Sequence, residues 1–186
     1  MRNRVIAHLG ILILSIASAT MGGDSQLDLR QRFLLLATTK TSTMQKELDQ
    51  AAAAGYRVLA GSRTRGPEVM LIAEKVATPP AVYAYYVLAT ARTSTMEKEL
   101  NEVAARGFRL LPRTMAEKER PVSGLEIFLV MEKPPGPAAR YKYRLLATQR
   151  TGTLQREMAQ TVDDGYQVLG IVSRNEHIVI LEKPAP

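Results

Sequence analysis

A threonine-rich segment with one basic residue occurs three times and carries the most specific polar pattern in the chain. It reads Thr-x-Lys/Arg-Thr-Ser/Gly-Thr and precedes a stretch with helical periodicity. Backbone N–H groups at a helix N-terminus, with hydroxyls and a cation beside them, can hold sulfate, phosphate or carboxylate. The anion-binding candidates are Lys40, Thr41, Thr43, Arg92, Thr93, Thr95, Arg150, Thr151 and Thr153. The alternative is that the hydroxyls cap the helices and the basic side chains are solvated.

Carboxylates also recur at matched positions. Paired carboxylates can act as general acid and base, as in glycoside hydrolysis. An active site needs one asymmetric constellation, however, so a carboxylate present in every copy favours a structural role. We therefore assign no catalytic residue among Glu47, Glu99, Glu157, Glu74, Glu132 and Glu182.

Few residues are present for other catalytic or metal chemistry. The chain has no Cys and two His, and His8 lies in a predicted export signal, which excludes thiolate sites and a multi-histidine metal site. His177 is expected to be an ordinary, partly exposed residue. Neither a dinucleotide-binding fingerprint nor a phosphate-binding loop occurs. The sequence thus predicts no metal and no cofactor, and it favours a protein that is not an enzyme.

The threonine segments belong to a repeat of about fifty residues. Three segments align, 33–75, 85–133 and 143–183, and they open with FLLLAT, YYVLAT and YRLLAT. Each continues with a helical stretch, then Gly and an aromatic residue, and closes on Glu-Lys. The spacing is 52 residues between the first two copies and 58 between the last two, because the second copy has a longer late loop.

The middle of each copy predicts an amphipathic helix. Apolar residues recur at steps of three, four and seven, as in Met44, Leu48 and Ala51. Ser42 with Gln45, Ser94 with Glu97 and, more weakly, Gly152 with Gln155 have capping-box spacing. Glycines that can adopt the left-handed conformation are expected to end the helices at Gly55, Gly107 and Gly165.

Two apolar strands follow each helix, so the expected unit is strand-helix-strand-strand. The first two strands would be parallel across the helix, the last two would form a hairpin, and the third would lie centrally. One such unit has little core of its own. The predicted fold is α+β, with three tandem β-α-β-β repeats packed into one compact body and helices on one sheet face.

The domain boundaries follow from the repeat and from two proline pairs. We expect a signal peptide at 1–19, a linker at 20–31 and repeats at 32–76, 83–133 and 141–186. Short, stiff proline-rich connectors at 77–82 and 134–140 favour a defined arrangement of the repeats.

The first residues have the three parts of a signal peptide. Arg2 and Arg4 precede an apolar run that closes on Ala17-Ser18-Ala19, and the run is shorter than a membrane-spanning helix. The alternative is an uncleaved anchor. With cleavage the formal charge falls from +7 to +5, and we expect a periplasmic or secreted protein with no stable membrane anchor.

The repeat resembles small bacterial domains of unknown function. Those domains share an aromatic-apolar first strand, a helix with a Leu-Asn-like segment, and then Gly, an aromatic residue and an apolar strand. The matching residues here are Glu47-Leu48-Asp49 with Gly55-Tyr56, Glu99-Leu100-Asn101 with Gly107-Phe108, and Glu157-Met158 with Gly165-Tyr166. The third copy lacks the Asn or Asp. The resemblance implies the same strand-helix-strand-strand fold and no activity.

The late loops, at 62–68, 112–124 and 173–176, differ most between copies and are candidate binding edges. Their basic residues are Arg63, Arg65, Arg113, Lys118, Arg120 and Arg174. Nucleic acid is not expected as a partner, because no aromatic platform is interleaved with these cations.

Three functional hypotheses remain at this point. The first is an exported binding or scaffolding protein whose partner is an anionic ligand or another envelope protein. The second is an enzyme acting on an anionic or glycan substrate at a cleft between repeats, and the third is a periplasmic ligand carrier with an apolar cavity.

Overall fold

The structure is a computed structural model that describes residues 27–76, 82–120 and 124–186. The predicted signal peptide lies outside these residues, as do 20–26 of the predicted linker, 77–81 of the first connector and 121–123 of the second late loop. Within the described residues, no helix has the length and apolar content needed to cross a membrane.

Each repeat forms one unit, and the predicted β-α-β-β order is confirmed. Unit 1 contains β1 (Phe33–Thr38), α1 (Thr41–Ala53), β2 (Tyr56–Arg63) and β3 (Val69–Lys75). Unit 2 contains β4 (Ala84–Thr90), α2 (Thr93–Ala104), β5 (Arg109–Leu110), β6 (Ala116–Glu119) and β7 (Leu125–Lys133). Unit 3 contains β8 (Tyr141–Thr148), α3 (Thr151–Asp163), β9 (Gln167–Ser173) and β10 (His177–Pro184).

The last strand of each unit lies in the middle of its sheet, as the sequence predicts. The strand orders are β1-β3-β2, β4-β7-β5 and β8-β10-β9, and every pairing is antiparallel. The two outer strands of each sheet are therefore parallel to each other, with the helix as the crossover between them.

Unit 2 departs from the expected pattern in its late loop. Pro112 has no N–H for the ladder, so β5 ends after two residues and a short 3₁₀ turn, Pro112–Thr114, follows. The chain then forms β6, which pairs with β7. The sequence of β6, AEKE, gives no apolar signal for a strand, although Ala116 and Lys118 are buried.

The three units stack so that each sheet has two kinds of face. The back face of a sheet carries the helix of its own unit, and in units 2 and 3 the front face packs on the preceding unit. The first core cluster joins Leu36 and Leu48 of unit 1 to Val87 and Val130 of unit 2. The second joins unit 2 to unit 3 in the same way. The cores are thus shared between units, which explains why β7 is buried on both faces.

The helices end at the glycines that the sequence predicts, whereas their starts lack the predicted side-chain caps. The three glycines after the helices have φ between 85° and 89°, the left-handed conformation expected at a helix C-terminus. The residues at the N-caps are Lys40, Arg92 and Arg150, and none of the helices has a side-chain cap hydrogen bond. The capping-box prediction is therefore wrong, since the serines lie inside the first turn.

Candidate functional site

An Arg-Tyr-Glu cluster joins unit 1 to unit 2 around a buried carboxylate, Glu132. Arg57, at the start of β2, donates from Nε and Nη2 to the two carboxylate oxygens of Glu132 on β7, at 3.2 and 2.9 Å. The Tyr85 hydroxyl on β4 donates to Glu132 Oε2 at 3.1 Å and accepts from the N–H of Val58 at 3.0 Å. The Glu132 side chain is only 6% exposed, so the carboxylate is satisfied inside the joint.

The same cluster joins unit 2 to unit 3. Arg109 pairs with both oxygens of Glu182 on β10. The Tyr143 hydroxyl donates to Glu182 at 3.2 Å and accepts from the N–H of Leu110 at 2.8 Å. Each arginine also stacks on a tyrosine ring at the start of the following unit, Arg57 on Tyr83 and Arg109 on Tyr141.

The surroundings of these clusters shift the pKa of several members. Burial is the main cause that raises the pKa of Tyr85 and Tyr143 well above the usual value for tyrosine, and the neighbouring carboxylates add to it. Hydrogen bonding to the carboxylates raises the pKa of Arg57 and Arg109. The clusters therefore hold protonated tyrosines and charged arginines, which is suited to structure rather than to proton transfer.

Helix side chains form a second repeated contact between units. The Gln45 amide on α1 donates to the carbonyl of Tyr85 at 3.0 Å and accepts from the N–H of Val87 at 2.9 Å. On α2, Asn101 bonds the N–H and carbonyl of Tyr143, and Glu97 accepts from the N–H of Leu145 at 2.8 Å. These side chains cover the exposed edges of β4 and β8.

A buried cation from each later unit forms a third repeated contact. Lys118 of β6 donates to the carbonyl of Thr39 at 2.8 Å and pairs with Glu126 at 3.2 Å. Arg174 of unit 3 donates to the carbonyl of Ala91, which occupies the equivalent position in unit 2. Both cations therefore hold the backbone immediately before a helix of the preceding unit.

The predicted anion-binding residues lie around the three helix starts. At α2 the position beside the helix start holds a carboxylate of the protein itself: Thr93 Oγ1 donates to Glu176 at 2.7 Å, and Arg174 contacts both. At α1 and α3 the hydroxyls of Thr38 and Thr148 accept from the N–H of Lys40 and Arg150. Anion binding by these residues stays a prediction.

The predicted loop-binding residues do not form one surface. Lys118 is buried and Arg174 is partly buried in the joints described above, and Arg63 pairs with Glu117 of unit 2 at 3.0 Å. The other three are exposed: Arg65, Arg113 and Arg120.

The clustered arginines and tyrosines are not among the residues that the sequence predicts to be functional, although the sequence carries a signal for them. Arginine follows the Gly-aromatic pair in units 1 and 2, but Gln167 stands there in unit 3. Tyr85 and Tyr143 occupy equivalent positions in the first strands of units 2 and 3, but Phe33 stands there in unit 1. This offset by one unit is what a contact between each unit and the next requires.

The two ends of the stack expose apolar faces. We call Phe33, Leu35 and Ile72 the front end face, and these residues are 47%, 64% and 37% exposed. The equivalent residues of units 2 and 3 are all buried: Tyr85, Val87, Val130, Tyr143, Leu145 and Ile180.

At the other end, Val162, Val168 and Ile171 are 45%, 48% and 60% exposed, and we call them the back end face. Residues equivalent to the first two are buried in unit 1, as Ala52 and Val58, and in unit 2, as Ala104 and Leu110. The polar contacts described above are therefore used inside the molecule, and six of the nine large apolar residues that are exposed in the described part of the chain lie at its two ends.

A groove of about 1010 Å³ lies between α2, β8 and α3. Its lining is mainly polar and includes Glu97, Lys98, Arg144, Glu157, Asp164 and Lys183. Among the described residues, no group of three or more His, Asp or Glu is arranged to hold a metal ion.

Comparisons with family models, with curated proteins and with solved structures found no match to the chain.

Proposed function

We propose that this chain is an exported binding or scaffolding protein, not an enzyme, and that it binds its partner through the ends of a rigid three-unit stack. The observation that carries the proposal is the exposure of Phe33, Leu35 and Ile72 at positions that are buried in both other units. Exposed apolar patches on soluble proteins mark interaction sites.

The use of the repeated polar residues supports the same proposal. Glu132 and Glu182 are paired with arginines in the joints, and Glu97 holds the edge of β8. These residues join the units to one another, which is the structural role that repetition in every copy favours.

The binding role can be tested by native mass spectrometry of the protein purified gently from its source. We expect wild type to retain a bound protein that is lost in Leu35→Glu. Val82→Glu is the matched control, because Val82 is 59% exposed and lies between units 1 and 2. A wild-type chain that carries no partner, or a partner retained equally by all three proteins, would contradict the proposal.

Export is proposed on the basis of the first nineteen residues. The mass of the mature chain recovered from the envelope or medium is expected to correspond to a chain that starts at Thr20. Recovery of the full-length chain from the membrane fraction would instead support an uncleaved anchor.

The groove between α2 and α3 favours a second candidate, an enzyme acting on an anionic or glycan substrate. Cations such as Arg144 and Lys183 line it together with the carboxylates Glu157 and Asp164. Titration with inorganic sulfate and with an acidic oligosaccharide would then shift the amide resonances of β8 and α3, and Arg144→Ala would abolish the shifts. No shift with either probe would remove this candidate. The polar lining gives no support to a carrier of apolar ligands.

A further inference from the structure

The front end face differs from the outer surface that a terminal repeat normally presents. Repeat proteins that stay monomeric end in capping units with a polar outer face. Here β1 is an edge strand, and its outer side chains Phe33 and Leu35 are exposed and apolar. Unit 1 therefore resembles an internal unit whose preceding neighbour is missing.

The back end face is the complementary surface. In each internal joint, the back of one unit, with its helix, packs on the front of the next unit's sheet. Unit 3 exposes Val162 and Val168, whose equivalents lie buried in those joints. The molecule thus has the two halves of one joint at its opposite ends.

One exposed polar side chain, Gln155, also matches this docking. Gln155 occupies the position of Gln45, whose amide covers the edge of the following unit's first strand. Gln155 is exposed on α3, and the equivalent edge, β1, lies at the other end of the stack.

Charged residues of the two ends would also come together in such a joint. At the C-terminal end of α3, Asp163 and Asp164 replace the Ala53 and Ala54 of unit 1. In the joint between units 2 and 3, Gly107, which follows α2, lies very close to Ala138, just before β8. A Cβ added at Gly107 would lie only 2.7 Å from the Cβ of Ala138. Gly165 and Asp28 occupy the positions equivalent to Gly107 and Ala138, so a joint of the same geometry would place the two acids near the segment before β1. That segment carries Arg30 and Arg32, which pair with Asp28 and Glu74 at 2.9 and 2.8 Å and have side chains 90% and 76% exposed.

The two ends lack the residues that would form an Arg-Tyr-Glu cluster between them. Phe33 lacks the tyrosine hydroxyl and Gln167 lacks the arginine charge, whereas Glu74 pairs with Arg32 of its own unit at 2.8 Å. An end-to-end joint would consequently leave no buried carboxylate without a partner. Such a joint would depend on apolar contact and strand-edge hydrogen bonds, so it would be reversible.

We propose that a second copy of this chain is the partner, and that the back end face of one copy docks head-to-tail on the front end face of the next. This inference rests on the proposed function, because it names the occupant of the binding face. A head-to-tail contact between identical chains is heterologous, so it produces open chains or rings rather than one closed two-fold dimer.

The test is sedimentation of the purified mature chain over about a hundredfold range of concentration, since self-association depends on protomer concentration. We expect the wild-type mass to rise above that of a trimer. Leu35→Glu and Ile171→Glu should each remain monomeric, and Val82→Glu should behave as wild type. An equimolar mixture of the first two variants should form only a one-to-one dimer, because each variant retains the face that the other has lost.

Three results would overturn the inference. A wild-type chain that stays monomeric at all concentrations excludes a second copy, while the native mass measurement still tests a different partner. An Ile171→Glu variant that still dimerises indicates a front-to-front contact. Association seen only in a chain that begins at residue 27 indicates that the N-terminal residues cover the face in the mature chain.

Discussion

At the residue scale, the buried charged side chains of the described residues, Lys118, Glu132 and Glu182, lie in the joints between units. Glu132 and Glu182 are nearly fully buried, and each accepts bonds from one arginine and one tyrosine. Because a buried carboxylate is costly without a partner, loss of one arginine affects the whole joint.

Replacement of Arg109 by Met is expected to lower the free energy of unfolding by about 3 kcal/mol, at the low end of the cost of leaving a buried charge unpaired. The matched control is Arg32→Met, which breaks the exposed pair with Glu74 and should cost less than about 1 kcal/mol. Urea unfolding measures both. Equal effects of the two substitutions would show that burial of the cluster contributes nothing.

The buried tyrosines of the joints, Tyr85 and Tyr143, predict a loss of stability at alkaline pH, to which the buried Tyr56, whose pKa burial also raises, adds. Burial raises the pKa of Tyr85 and Tyr143 in the folded state, so their contribution is complete below the unfolded value of about 10 and falls as the pH rises above it. The expected slope is about 1.4 kcal/mol per pH unit for each tyrosine.

Urea unfolding between neutral pH and the alkaline limit measures this slope. A Tyr85→Phe, Tyr143→Phe double variant should lose most of the slope, whereas Tyr83→Phe, on a half-buried ring, should keep it. An unchanged slope in the double variant would rule out the two tyrosines as its source.

At the element scale, α1 and α2 each support the sheet of the following unit as well as their own. The edges of β4 and β8 are covered by helix side chains of the preceding unit, whereas no unit precedes β1 in the part of the chain that the structure describes. Side chains that the sequence assigns to capping therefore have a different function in the fold.

Gln45→Ala is expected to cost about 1–2 kcal/mol, because it removes two hydrogen bonds to the backbone of β4. Ser42→Ala should stay within about 0.5 kcal/mol, since Ser42 is exposed and caps nothing. Thermal unfolding compares the two variants. A capping box would give the opposite order, with Ser42 as the costly position.

At the scale of the whole molecule, the units form one cooperative body because each core cluster contains side chains from two units. The first cluster loses Tyr85, Val87, Phe128 and Val130 if unit 2 is removed. A single unit of this size also buries only a small share of its surface.

We therefore expect residues 27–76 in isolation to be unfolded and the whole chain to unfold in one transition. Far-ultraviolet circular dichroism of the isolated unit, and urea unfolding of the whole chain followed by circular dichroism and tyrosine fluorescence, measure these properties. An isolated unit that folds with the stability of the whole chain would contradict a shared core.

The sequence alone determined the unit, its element order and its helix ends. Local patterns carry that information: the helical periodicity around Leu48, the glycine at position 55 and the apolar strands that follow it. The central position of β3 also follows, because two parallel strands joined by a helix leave room between them for a returning hairpin strand.

Only the tertiary structure decided how the units meet. Arg57 and Glu132 are 75 residues apart, and Lys118 looks like an ordinary loop cation until β6 places it at the carbonyl of Thr39. Phe33 and Leu35 read as core residues in the sequence, like their equivalents in the other units. Whether such a residue is buried depends on a neighbouring unit, and a strand's own pattern contains no information about whether that neighbour is present.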